Sequence, residues 1–99
     1  MKLKNTVRLK DLKTQLVVAM MVVDRIYEDD GQELVVTSVN DSVHGTGSLH
    51  YSGNAFDART NIFSEIEKDR VFKEIKEQLD ADFDIVNEAD HYHIEYDPK

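Results

Sequence analysis

Histidine is the side chain whose placement points most directly to chemistry in this sequence. All 4 copies fall in two short stretches, His44 and His50 in the first and His91 and His93 in the second. Carboxylates accompany both, with Asp57 following the first stretch and Glu88, Asp90 and Glu95 surrounding the second. Imidazole nitrogen and carboxylate oxygen are ligands for a divalent ion such as Zn2+, and a catalytic zinc keeps three protein ligands and a fourth position open to water. The chain has no cysteine, so disulfides and thiolate zinc fingers are excluded and any metal must sit on nitrogen and oxygen.

Spacing sharpens the picture. Residues 91 to 96 read as a β-strand, and because side chains alternate along a strand, Tyr92, Ile94 and Tyr96 face one way while His91, His93 and Glu95 face the other. A lone His-x-His of this kind is more often an exposed strand face than a metal site. His50 and Asp57 flank Tyr51-Ser52-Gly53-Asn54, whose Gly and Asn permit a tight reversal that brings the imidazole back beside the carboxylate. Taken alone, Asp57 is equally able to pair with Arg59 or Arg70.

The string Ser48-x-His50-x-x-Gly53-x-Ala55-x-Asp57, followed by Asp90-His91-x-His93, resembles the pattern of the D-alanyl-D-alanine carboxypeptidase and L-alanyl-D-glutamate endopeptidase family of zinc peptidases. That family shares its fold with the Hedgehog signalling domain. The resemblance covers residues 34 to 96, and the continuations Asp57-Ala58-Arg59 and His93-Ile94-Glu95-Tyr96 look like compact phage-encoded members. It implies Zn2+ as cofactor, His50, Asp57 and His93 as its ligands, and Asp90 or Glu88 as the general base. Asp90 is preferred because its spacing to His93 matches a large part of the family. His91 would stand beside the site as a hydrogen-bond donor to the intermediate or the leaving amine, Ser48 would bind substrate, and His44 would be a bystander in the loop. Many members carry an Arg in a Ser-Gly-x-Arg-Ser context after the first strand. Here that stretch reads Thr37-Ser38-Val39-Asn40-Asp41-Ser42, so Arg59, His44 or His91 takes over substrate binding, or the substrate differs, or activity is weak.

The function that follows from the resemblance is a zinc-dependent peptidase cutting the peptide stems of bacterial peptidoglycan, as a D,D-carboxypeptidase or an endopeptidase, in phage or prophage lysis or host penetration. The alternatives are a zinc-stabilised, non-catalytic binding or virion-structural module of the same fold, and an acidic interaction protein without metal. Composition agrees with a partner other than nucleic acid: 20 acidic against 12 basic residues give a net charge of −8, whereas phosphate backbones are bound by clustered Lys and Arg. The longest apolar run, Leu16 to Val23, is far short of the roughly 20 residues needed to span a bilayer, so no membrane insertion is expected. Its basic approach suggests a signal peptide, but Asp11 interrupts the basic segment and Asp24-Arg25 stands where a small-residue cleavage site belongs. Cytoplasmic synthesis is therefore expected, with action at the wall after holin-type release or within a phage particle. A monomer is the simplest expectation.

The elements that must position these groups form one domain over residues 1–99. Asp11 is placed to cap a helix running to about Glu28, with Leu12, Leu16, Ala19, Val23 and Ile26 on one face. Val18, Met21 and Val22 widen that face, which predicts a helix packed on two sides. Asp29-Asp30-Gly31 ends it, Glu33 to Ser38 reads as a strand, and a loop follows from Val39 to about Leu49. Ala55 to Arg59 is a second strand. Ser64-Glu65-Ile66-Glu67 is a capping box opening a helix to about Asp80, with Phe72, Ile75 and Leu79 inward. Phe83 to Val86 and His91 to Tyr96 complete a hairpin through Asn87 to Asp90. The order predicts an α+β fold with a small, mostly antiparallel sheet and two main helices, Hedgehog/DD-peptidase-like.

Overall fold

The computed structural model describes residues 1–5, 7, 12–40 and 55–98. Over these the chain forms strand β1 (Lys2–Leu3), helix α1 (Thr14–Asp29), strands β2 (Val35–Asn40) and β3 (Ala55–Arg59), helix α2 (Glu65–Gln78), and strands β4 (Phe83–Asn87) and β5 (His91–Tyr96). The five strands make one sheet in the order β1-β2-β3-β5-β4. β1 runs parallel to β2 and the other pairings are antiparallel, so the α+β class holds with a mixed sheet.

One face of the sheet carries the core. Leu34, Val36, Phe56, Ala58, Tyr92 and Ile94 pack there against Leu16, Met20, Val23, Ile26 and Tyr27 of α1 and Val71, Ile75 and Leu79 beside or within α2. Each of the larger apolar side chains contributes roughly 2 kcal/mol through removal from water, and together they hold both helices on the same side. The opposite face has no helix among the described residues, and it is where β3 and β5 present their polar side chains.

The local causes follow from sequence at most points. α2 begins at Ser64, whose hydroxyl accepts from the Glu67 N–H at 3.2 Å while the Glu67 carboxylate accepts from the Ser64 N–H at 2.9 Å. α1 closes on Gly31, which sits at φ +75, a conformation cheap only without a Cβ. The Gly31 N–H donates to the Glu28 carbonyl and the Gln32 N–H to the Tyr27 carbonyl, both at 2.9 Å.

Several expectations need correction. α1 starts at Thr14 with Lys13 at the cap position and no side-chain cap, and Asp11 lies outside the described residues. Among the described residues the helix is packed on one side: Val17, Val18 and Met21 are 41%, 53% and 62% exposed. β2 extends through Val39 and Asn40, paired with Phe56 and Ala55, rather than ending at Ser38, and its pairing with β3 has a register irregularity between Val36 and Ser38. Finally, β1 has no counterpart in the sequence reading. The second helix ends at Gln78, short of Asp80, and Val71 joins Ile75 and Leu79 in the core, with Phe72 packed against it as expected, partly buried beside Tyr92.

Candidate metal and hydrolase site

Asp57 on β3 and His93 on β5 are direct cross-strand partners, and Arg59 and His91 are the next pair on the same face. The predicted alternation is therefore realised: Tyr92 and Ile94 are buried, whereas His91, His93 and Glu95 are partly exposed on the open face. Cross-strand pairing brings the imidazole of His93 against Asp57, with Nδ1 2.9 Å from Oδ1. His93 Nε2 lies 3.2 Å from Glu95 Oε1. On the other side, His91 Nε2 is 3.8 Å from the same Asp57 oxygen, and His91 Nδ1 is 2.6 Å from Asp90 Oδ1. Carboxylate and imidazole thus alternate across the sheet in the sequence Asp90, His91, Asp57, His93, Glu95.

The electrostatics follow from that alternation. His93 is pushed up to about 9, chiefly by the hydrogen bond to Asp57 and with further help from Glu95. Asp90 is held below the usual carboxylate range, mainly by its hydrogen bond to His91. Arg70, one of the two arginines able in principle to neutralise Asp57, instead forms a two-oxygen pair with Asp30 at 2.8 and 3.0 Å, which joins α2 to the end of α1. Asp57 is left to the histidines.

Several bonds fix the turn that carries the candidate bases. The Glu88 N–H donates to the His91 carbonyl at 2.9 Å, and the Thr60 N–H donates to the Asp90 carbonyl at 3.1 Å. From α2, the Lys68 ammonium donates to the carbonyls of Glu88 and Ala89, while the Tyr92 hydroxyl donates to the Lys68 carbonyl at 2.5 Å. β3 is tied to α1 in the same manner, since the Tyr27 hydroxyl donates to the Arg59 carbonyl at 2.8 Å. Both strands of the site are therefore anchored from the helical layer beneath.

Of the predicted residues, Asp57, Arg59, Glu88, Asp90, His91 and His93 occupy adjoining positions from the middle of β3 and β5 to the turn that precedes β5. His50, Ser48 and His44 lie outside the described residues. Among the described residues no group of three His, Asp or Glu is arranged to enclose an ion. The predicted set includes His50 as its third member.

The donors that are described suit zinc. Two ligands on a tetrahedral zinc at bonds of about 2.0–2.1 Å are about 3.3 Å apart, so the 2.9 Å separation of Asp57 and His93 opens by only a few tenths of an ångström to exchange a shared proton for an ion. Glu95 at the far nitrogen of His93 is the carboxylate partner that commonly orients a ligating imidazole. Its involvement was not singled out from sequence, although the alternation already put it on the histidine face.

Comparisons of the chain with protein-family models, with curated proteins and with solved structures find no match in any of the three.

Proposed function

We propose that this chain is a zinc-dependent peptidase acting on the peptide stems of bacterial peptidoglycan, as a D,D-carboxypeptidase or endopeptidase of a phage or prophage. The observation that carries the reading is the direct opposition of Asp57 and His93 on neighbouring strands, because these are two of the three ligands implied by the sequence pattern. In this reading His50 completes the set with Asp57 and His93, and Glu95 holds the His93 ring. Zinc, when bound, supplies a polarised carbonyl and a water acidified to a pKa of about 7.

The remaining chemistry belongs to the chain. Asp90 accepts the proton of the attacking water at its carboxylate, with Glu88 as the competing candidate on the same turn. His91 is held by Asp90 through Nδ1 and keeps Nε2 directed toward Asp57, where it can donate to a developing negative charge or to the leaving amine. Ser48 and Arg59 contribute to substrate binding. The protein would be made in the cytoplasm and reach the wall through holin-type lesions or inside a particle.

A second reading is a zinc-stabilised binding or virion-structural module without catalysis. It draws on the lack of an Arg in the stretch Thr37 to Ser42 and on the engagement of the Asp90 carboxylate by His91. The test separates the two. Purified protein is expected to bind about one zinc, with Asp57→Ala abolishing binding, and the zinc form is expected to release new amino termini from purified peptidoglycan by mass spectrometry. Stoichiometric zinc with no cleavage of any wall chemotype favours the module; no zinc at all refutes both.

A further inference from the structure

The outward side of α1 is apolar where a surface helix of an acidic chain is ordinarily charged. Thr14, Val17, Val18, Met21, Arg25 and Glu28 recur along it at helical spacing, and all are exposed. The first half of this stripe is apolar and the second half is charged. Two hollows flank the apolar half: one of about 490 Å³ beside Leu3, Leu12, Val17 and Met20, the other of about 320 Å³ beside Val18, Val22, Leu79 and Phe83. Among the described residues nothing covers the ridge between them, so ridge and hollows form one continuous apolar band, the kind of surface that marks an association site.

We infer that this band is the contact surface of a two-fold homodimer in which α1 packs antiparallel against α1 of a second copy. The charges around the band select that occupant. Lys13, Val17, Asp24 and Glu28 lie along one edge of the stripe, and a two-fold axis between antiparallel helices brings that edge against itself. When the apolar segments superpose, Val18 of one copy lies over Met21 of the other, and Val17 over Val22. The same register sets Lys13 level with Ile26 of the second copy, between Asp24 and Glu28, so the ammonium at the start of each helix meets carboxylates near the end of the other. One register thus satisfies the apolar and the charged positions together. A lipid surface fits less well, because Glu28 shares the stripe with Met21 and a net charge of −8 is repelled by anionic headgroups. Since α1 lies on the side of the sheet opposite Asp57, His91 and His93, both open faces of the dimer point outward. The dimer forms with or without hydrolysis; where the wall is the substrate, two outward sites would hold the polymer at two points.

Sedimentation equilibrium of the full chain tests this from about 1 µM to about 1 mM, in EDTA so that no metal bridges the copies. A reversible species of twice the 11.4 kDa chain mass is expected, half-formed at about 20 µM because a single helix pair is a small contact. Met21→Glu changes a side chain that is exposed in the single chain, so circular dichroism and the urea midpoint should hold while association weakens about 100-fold. Lys13→Glu and Glu28→Lys should each weaken it about 5-fold, and the double exchange should restore it. The mass of one chain at every concentration, a Met21→Glu variant that associates as the native chain does, or a double exchange no tighter than either single one overturns the dimer. Flotation with phosphatidylglycerol vesicles covers the other occupant: a single-chain mass together with vesicle binding that Met21→Glu abolishes assigns the band to lipid and equally overturns it.

Discussion

Removing the hydroxyl of Tyr27 isolates the tie between α1 and the strand that carries Asp57 and Arg59. Tyr27 is fully buried, and its hydroxyl donates to the Arg59 carbonyl at 2.8 Å. Tyr27→Phe keeps the ring and its edge-on contact with Phe63 at 5.0 Å, so apolar packing is conserved and only the hydrogen bond is lost. A buried carbonyl deprived of one donor costs about 1–3 kcal/mol; with the sheet still able to use its second lone pair, about 1.5 kcal/mol is expected. For a domain of this size that corresponds to a fall in Tm of about 7 °C. Urea unfolding followed by far-UV circular dichroism should show a lower midpoint with an unchanged slope. Burial raises the Tyr27 pKa far above the ordinary phenol range, so the hydroxyl remains a neutral donor and the loss should be the same at mildly acidic and mildly alkaline pH. A change below about 0.5 kcal/mol, or one that varies with pH, would refute the assigned role of this bond.

Three further outcomes are expected. In EDTA, the charged His93–Asp57 pair stabilises the fold at low pH: the folded-state pKa of about 9 lies above the ordinary 6.5, so the contribution is complete below 6.5 and disappears as pH rises through 9. With the His93 side chain 33% exposed, the contribution is about 1 kcal/mol after allowance for solvent screening, and Asp57→Asn should flatten the pH dependence of urea midpoints over that window. Ser64→Ala removes one half of the capping box and should cost about 1 kcal/mol in thermal unfolding, with Ser64→Asp recovering most of it. Lys68→Met leaves the carbonyls of Glu88 and Ala89 without their ammonium donor and should speed hydrogen exchange of the Glu88 amide several-fold, while exchange in α1 stays unchanged.

The parts of the fold that could be read from sequence are those governed by local rules. The Ser64 to Glu67 pattern sets the start of α2 because both bonds of the box lie within one turn, and alternation along His91 to Tyr96 separates core from open face whatever strand lies beside it. The same alternation, joined to the motif around Asp57, anticipates that Asp57 and His93 meet. β1 was invisible because two residues carry no period, and their pairing with Val35 and Val36 is fixed by tertiary contact alone. The register irregularity in β2 between Val36 and Ser38 likewise has no sequence signature. Val18, Met21 and Val22 suggest two-sided packing of α1, but apolar character alone does not say that a second layer exists. The ties from Lys68 and Tyr27 to backbone carbonyls are similarly hidden, since any carbonyl looks like any other in sequence.

The placement of β5 between β3 and β4 makes assembly of the site and completion of the sheet the same event. Asp57 and His93 are 36 positions apart, and the strands that flank β5 are bridged through α2 before β5 is reached. A chain folded up to Asn87 has an open slot in its sheet, with the unpaired edges of β3 and β4 facing each other, and it lacks His91, His93 and Glu95 altogether. Such a chain can neither hold the proposed ion nor hide its sticky edges. Insertion of the last strand cures both defects at once, so a partly folded population would lack the Asp57–His93 pair and be prone to self-association, and the paired site would arise in a single cooperative step.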